Sequence, residues 1–334
     1  MYLDRHNFSI WCDFIERDFL HKEFLDYTKD GLVSGATSNP SIFYEAISKS
    51  PSYKDRIKEL KDLSAKEIYE SIAIEDIQQA ADILKPFYDK NGDGFISLEI
   101  DPSLCDDIKA SVDEGERLVA KIGRENLMIK VPATEAGYSV IKELVSEGIN
   151  VNVTLIFSSA QAKKAIEAIK EGHSLCKEKT ASTVLSVFVS RFDRKCDKTM
   201  EEKGLDRGKL GIYNAQYIYN LAEKEGLAKC RTLFASTGVK GDEYPQTYYV
   251  DNLMHKDAIN TIPTKTIDAL LKSRNTILLK PKNNADLEDY FKLLKDKGVD
   301  IDSLSQELLV EGLEAFKKSF TDLLKQIEAQ KNAS

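Results

Sequence analysis

Short apolar segments with a two-residue alternation recur along the chain, separated by longer stretches whose apolar residues fall three and four apart. Eight segments of the first kind can be read: Ser9 to Phe14, Leu32 to Thr37, Phe95 to Ile100, Leu127 to Val131, Ile149 to Phe157, Ser182 to Val189, Thr232 to Ser236 and Ala258 to Ile262. Helical patterns such as Ser139 to Glu147 and Ser159 to Glu171 lie between them. Strands alternating with helices predict a parallel sheet with crossover helices. Eight such units in a span of roughly 250 residues match a closed (β/α)8 barrel. The expected fold is therefore α/β, a TIM barrel with additional C-terminal helices. One barrel domain is expected over residues 1–334, with 276–334 a helical extension packed on it. In its last part Leu309, Leu313, Phe316, Phe320, Leu323 and Ile327 recur at helical intervals.

Each barrel strand presents one parity to the surrounding helices and the other to the interior. Ile10, Cys12 and Phe14 separate from Ser9, Trp11 and Asp13; Ile96, Leu98 and Ile100 separate from Phe95, Ser97 and Glu99. Leu127, Ile129 and Val131 oppose Met128 and Lys130, and Val151, Val153, Leu155 and Phe157 oppose Asn150, Asn152 and Thr154. In the sixth segment Thr183, Leu185, Val187 and Val189 oppose Ser182, Val184, Ser186 and Phe188. A purely structural barrel fills its interior with Val, Ile and Leu. Here the inward set contains Asp13, Glu99, Lys130, Asn152, Thr154 and Ser186, several of them at the carboxyl ends of their strands, where barrel active sites are built.

Lys130, within MIKVP, is the most informative of these positions. An amine enclosed among apolar residues pays a desolvation cost for its charge, which favours the neutral, nucleophilic form that condenses with a carbonyl. The alternative is a core lysine with a paired acid. Asp13 and Glu99 share the predicted inner face and can serve as the acid and base that imine chemistry requires. Thr154 and Asn152 are candidates to hold water and substrate hydroxyls. Arg191, just after the sixth strand, offers a planar fork for a phosphate, unless it is an ordinary surface arginine.

Composition narrows the partners. The chain has 334 residues, 42% hydrophobic and 31% charged, with 47 Lys and Arg against 55 Asp and Glu for a net charge of −8. That is a globular composition, and an acidic one is poorly suited to nucleic acid. The five cysteines are scattered without a C-x-x-C pair, which argues against a disulfide framework and for a reducing compartment. The opening residues show no leader pattern and no long apolar run occurs, so no membrane association and a cytoplasmic location are expected. The four histidines have no paired metal-ligand spacing, and the Gly204 to Leu210 segment is too short for a nucleotide loop. Asp89 to Gly94 (DKNGDG) opens like a calcium-binding EF-hand, but its twelfth position is Ile100 rather than glutamate.

Ser38-Asn39-Pro40-Ser41, Ser97 to Pro102 (SLEIDP), Ile129 to Thr134 (IKVPAT), Gly148 to Ser158 (GINVNVTLIFS), SVFVSRFD from Ser186, FASTGVK from Phe234 and NTIP from Asn260 form a set of motifs, and together they resemble the transaldolases. They occur in the family's order over nearly the whole chain; the FASTGVK to NTIP region resembles its longer bacterial branch. The resemblance implies a Schiff-base lysine at Lys130, with Glu99 and Thr154 around a catalytic water and Asp13 acting on the hydroxyl proton. It implies substrate contacts from Asn39, Thr37, Asn152 and Ser186, an aromatic wall at Phe188 and a phosphate site at Arg191. Val187 replaces the family's usual proline on the outer parity. Where other branches carry a second phosphate arginine, this chain reads Ala235 to Lys240, leaving Lys240 as the candidate point charge. The implied activity transfers a dihydroxyacetone unit from sedoheptulose 7-phosphate to glyceraldehyde 3-phosphate, without a metal or organic cofactor. Its partners are phosphorylated ketoses and aldoses; the sequence leaves the oligomeric state, monomer or homodimer, open. The alternatives are a fructose 6-phosphate aldolase-like enzyme releasing dihydroxyacetone, and a calcium-binding protein built on Asp89 to Gly94.

Overall fold

The computed structural model describes residues 6–176, 180–273 and 277–332. Residues 1–5, which begin the segment inspected for a leader, and the two ends of the expected extension, 276 and 333–334, lie outside the described residues. All eight expected segments form strands: β1 (Ser9–Cys12), β2 (Gly35–Thr37), β3 (Ile96–Glu99), β4 (Leu127–Pro132), β5 (Val151–Ile156), β6 (Thr183–Phe188), β7 (Cys230–Ala235) and β8 (Ile259–Ile262). They pair in chain order, in parallel, and β8 pairs back onto β1 to close the barrel. Helices wrap the outside, and the helices Asn284–Asp296 and Ile301–Asn332 follow the last barrel unit. Local signals set the ends of several helices. Ser64 and Glu67 form a capping box at the start of the Ala65–Asn91 helix, and Gly92, at φ 69°, ends it in the left-handed conformation.

The two strand parities become two cores. Ile10, Cys12, Ile96, Leu98, Ile129, Val131, Val151, Val153, Leu185 and Val187 are buried together against the helices, each large apolar chain contributing on the order of 2 kcal/mol. The lower barrel interior holds Trp11, Phe95, Met128, Val184, Leu233 and Ile259. Gly35 faces Trp11 across the β1–β2 pair, and a Cβ there would stand 2.4 Å from the indole Nε1. Only a glycine leaves room for that ring. The polar inward residues lie above this apolar floor, so the interior is graded from greasy to ionisable.

Alternation fails at one place. Val153 pairs with Leu185, but Val187 then pairs with Ile156, so β5 carries an extra residue. Leu155 takes a φ of 58° at this bulge. The expectation that Leu155 and Phe157 face the helices is corrected here. Ile156 takes the outward place, while Leu155 and Phe157 join a cluster with Phe188 and Phe316, because one inserted residue inverts every side chain beyond it. Gln161 secures the distortion, donating to the Leu155 carbonyl at 3.0 Å and the Ala133 carbonyl at 2.9 Å and accepting from the Phe157 amide at 2.9 Å.

The Asp89 to Gly94 segment is the end of a helix followed by the entry to β3. Asp89 pairs with Lys85. Asp93 is buried beneath the barrel floor, where Ser9 Oγ, Trp11 Nε1 at 3.0 Å and Ser34 Oγ at 2.8 Å all donate to it and Arg231 lies 3.6 Å away. Its carboxylate ties four elements of the fold together, which gives this segment a structural role in place of the cation loop considered from sequence. Asp93→Ala leaves the Arg231 charge and three donors without their acceptor, so unfolding in denaturant is expected to lose about 3–5 kcal/mol. A loss below about 1 kcal/mol, the net worth of a typical single hydrogen bond, contradicts this role.

The Ile301–Asn332 helix packs on the barrel, against the Pro40–Lys49 and Ala65–Asn91 helices. Leu309, Phe316, Phe320, Leu323 and Ile327 of the expected stripe are buried, together with Leu308, while Leu313 is half-buried. Among the described residues, no helix is long and apolar enough to cross a membrane.

Candidate active site

The carboxyl ends of the strands bring the ionisable inward residues together. Register places Glu99 of β3 directly beside Lys130 of β4, and Lys130 beside Asn152 of β5. Lys130 is only 5% exposed. Its Nζ donates to the Ser38 carbonyl at 3.0 Å and lies 3.8 Å from Glu99 Oε2. The Ser38 carbonyl is itself fixed, because Ser38 Oγ donates to the Ser97 carbonyl at 2.7 Å. Asp13, one residue past β1, accepts from Thr37 Oγ1 at 2.7 Å, and Thr37 in turn takes a hydrogen bond from Thr261 Oγ1 at 2.7 Å.

Burial dominates the electrostatics. It pushes the Glu99 carboxyl up to about 7, with the Lys130 charge pulling it down and Asp13 adding to the rise. Asp13 is also raised by burial, against the opposing pull of Lys130 and the Thr37 hydrogen bond. Two acids that burial raises above the ordinary carboxylate range are suited to hold and pass protons. Glu99 Oε2 and Thr154 Oγ1 are buried and have no hydrogen-bond partner among the described residues. Buried polar atoms are ordinarily paired, so these two are open to a water or a substrate group.

The remaining walls are polar on one side and aromatic on the other. Ser186 Oγ donates to Asn152 Oδ1 at 2.6 Å, and Asn152 Nδ2 donates to Ser97 Oγ at 3.0 Å. Asn39 caps the Pro40–Lys49 helix through Oδ1, which accepts from the Ile42 amide at 3.1 Å and leaves Nδ2 for the cavity. Arg191 sits in the first turn of the Ser190–Glu202 helix, its guanidinium 5.0 Å from the centre of the Phe188 ring. Burial, reinforced by the Arg194 charge, lowers its affinity for its proton, so an anion docking here gains a partly desolvated partner.

Asp13, Thr37, Asn39, Lys130, Thr154, Ser186, Phe188 and Arg191 line one cavity of about 110 Å³, with Ala235, Ser236, Thr261 and Phe316 completing it. Glu99 and Asn152 stand immediately behind, touching Lys130 and Ser186. Lys240 lies outside this cavity. It is exposed and lines a neighbouring one with Ser190 and Arg194, and the Arg194 charge, then burial, then Arg191, lower its pKa. A larger cavity of about 560 Å³ opens at the opposite mouth of the barrel; of its charged residues Asp89, Asp93, Lys229 and Arg231, Asp93 and Arg231 face each other. Sequence reasoning did not single out Ser38, Thr261, Phe316 or Arg194. Ser38 and Thr261 lie within the motifs SNPS and NTIP, and Phe316 within the C-terminal stripe; for Arg194 the sequence offered no signal.

An enclosed amine flanked by two acids, with hydroxyl and amide groups on one wall and a cation at the rim, can form an imine with a phosphorylated ketose and move protons around it. Residues 10–327 match the family model described as Transaldolase/Fructose-6-phosphate aldolase. The chain is 46% identical over 319 residues to a protein of Helicobacter pylori (strain P12) named Transaldolase, covering 95% of this chain and 98% of that one. It is 44% identical over 329 residues to one of the same name from Campylobacter jejuni (strain RM1221), covering 96% and 99%. With the family model matched along almost all of its length and relatives this similar from end to end, the chain belongs to the transaldolase/fructose-6-phosphate aldolase family.

Proposed function

We propose that this protein is a transaldolase, a transferase that moves a dihydroxyacetone unit from sedoheptulose 7-phosphate to glyceraldehyde 3-phosphate, giving erythrose 4-phosphate and fructose 6-phosphate. The observation that carries this reading is the Lys130 amine, buried at the carboxyl end of the barrel 3.8 Å from Glu99 and in one cavity with Asp13.

Lys130 attacks the ketose carbonyl, and loss of water gives the imine. Glu99, held at about 7, donates and recovers protons at this stage, with Thr154 holding the water. Asp13 takes the hydroxyl proton of the donor as its carbon–carbon bond breaks, and the electrons of that bond pass into the imine. The resulting enamine stays attached to Lys130 and adds to the acceptor aldehyde, with Asp13 returning the proton. Asn39, Asn152, Thr37 and Ser186 orient the three-carbon unit and its hydroxyls. Phe188 forms a wall, and Arg191 binds the sugar phosphate, with Lys240 adding long-range attraction beside it. The cysteines, scattered without a C-x-x-C pair, suit a reducing compartment such as the cytoplasm.

Product analysis tests the reading. With fructose 6-phosphate and erythrose 4-phosphate supplied together, sedoheptulose 7-phosphate and glyceraldehyde 3-phosphate are expected. With fructose 6-phosphate alone, borohydride is expected to trap a three-carbon adduct on Lys130. Free dihydroxyacetone as the main product even with acceptor present identifies an aldolase of the same family instead.

A further inference from the structure

The Ile301–Asn332 helix lies outside the barrel, yet it supplies part of the catalytic cavity. Phe316 is 6% exposed and lines that cavity, its ring centre 6.0 Å from Lys130 Nζ. One turn earlier the helix backbone comes down onto the site. A Cβ at Gly312 would lie 2.9 Å from Leu155 Cδ2 and 3.1 Å from a guanidinium nitrogen of Arg191. One turn later Phe320 packs edge-on against Tyr69 at 5.3 Å, and Ser319 Oγ shares a hydrogen bond of 2.7 Å with Ser41 Oγ. Near its end Lys331 donates to the Leu63 carbonyl at 2.9 Å. The helix is therefore pinned on both sides of Phe316, and the ring is held in place above the amine.

A carbon bonded to the Lys130 nitrogen lies roughly 1.4 Å from it, so with the ring centre 6.0 Å away the attached three-carbon unit can sit about 4.5 Å beneath the ring, close to the roughly 3.5–4 Å of apolar contact. We propose that Phe316 is a specificity-determining residue that selects transfer over release, by roofing the enamine and keeping water from it until the acceptor aldehyde arrives. This inference rests on the transaldolase reading.

The competing reaction is hydrolysis. A proton from water adds to the nucleophilic carbon of the enamine, giving the iminium. The remaining hydroxide adds to the iminium carbon, the carbon–nitrogen bond breaks, and dihydroxyacetone leaves with the Lys130 amine restored. One enamine and one water give one ketone and one amine, with no other reactant. Transfer needs the same carbon to meet an aldehyde instead. Excluding water from a reactive intermediate is a recognised use of a closed site, and an aromatic face over the nitrogen also tolerates the cationic iminium on either side of the enamine.

The test compares the unsubstituted protein with Phe316→Ala and Phe316→Leu. Fructose 6-phosphate is the donor, and the readouts are the Lys130 adduct trapped by borohydride and the ratio of dihydroxyacetone released to sedoheptulose 7-phosphate formed at fixed erythrose 4-phosphate. Phe316→Ala is expected to keep the adduct and raise the release-to-transfer ratio about tenfold or more as water gains entry. Phe316→Leu retains most of the apolar volume and the helix packing that alanine gives up, and is expected to raise the ratio about threefold. An unchanged ratio in either folded variant that still forms the adduct overturns the inference and leaves the transaldolase reading intact. Loss of the adduct in both variants overturns it too, because the ring then serves imine formation rather than partition. Absence of the adduct in the unsubstituted protein removes the underlying reading itself.

Discussion

Lys130→Met abolishes transfer, with kcat expected to fall by at least about 10⁴-fold, the scale seen when a covalent nucleophile is removed. Methionine keeps the length and apolar stem of lysine while lacking the amine, so no imine can form and borohydride leaves no adduct at this position. The fold tolerates the change. The buried amine gives up one hydrogen bond to the Ser38 carbonyl and its neighbour Glu99, while a thioether fits against the Phe316 ring. Lys130→Arg separates charge from chemistry, because a guanidinium stays protonated and cannot condense with a ketone. Transfer within tenfold of the unsubstituted rate in either variant would exclude the Schiff-base mechanism.

Glu99→Gln is expected to lose activity and gain stability, in a pH-dependent way. Burial holds the carboxyl at about 7, against an ordinary 4.5. The folded protein thus binds this proton more tightly than the unfolded chain, and stability from this group is greatest below pH 4.5. It declines as pH rises from 4.5 towards 7 and is constant above that. The interval corresponds to about 3 kcal/mol. Glutamine removes the ionisation, so the variant should match the unsubstituted protein in denaturant at pH 4 and exceed it by up to about 3 kcal/mol at pH 8. Its kcat should fall roughly 10²- to 10³-fold, as for loss of a general acid–base group, and the inflection near pH 7 should leave the rate profile. Equal stability differences at the two pH values, or a retained inflection, argue against a protonated Glu99 in the working enzyme.

These two residues illustrate how much the chain discloses on its own. Lys130 and Glu99 were legible because each sits in a short strand where polar residues share one parity, and parity is a local property. The same logic failed at Leu155, since the extra residue in β5 is stabilised by Gln161 reaching back from the next helix and by the cavity it faces, neither of which is written in the alternation of β5. Asp93 misled in the opposite sense. Its neighbours imitate a cation loop, and only the barrel floor supplies the Ser9, Trp11 and Ser34 donors that employ it. Lys240 and Arg194 show the limit for charges on loops and helices, where no periodic constraint tells which cavity a long side chain enters.

Alternation, turn residues and motifs are carried by adjacent residues, and they suffice for the barrel, the order of its strands and the identity of the groups at their carboxyl ends. Proximity comes from the folded chain alone. The 3.8 Å between Lys130 and Glu99, the hydrogen bond from Lys130 to Ser38 and the Phe316 ring over the amine join residues 31, 92 and 186 positions apart. Such distances are fixed by strand register, barrel closure and the packing of the final helix, which arise from the summed burial of the whole chain rather than from any segment of it.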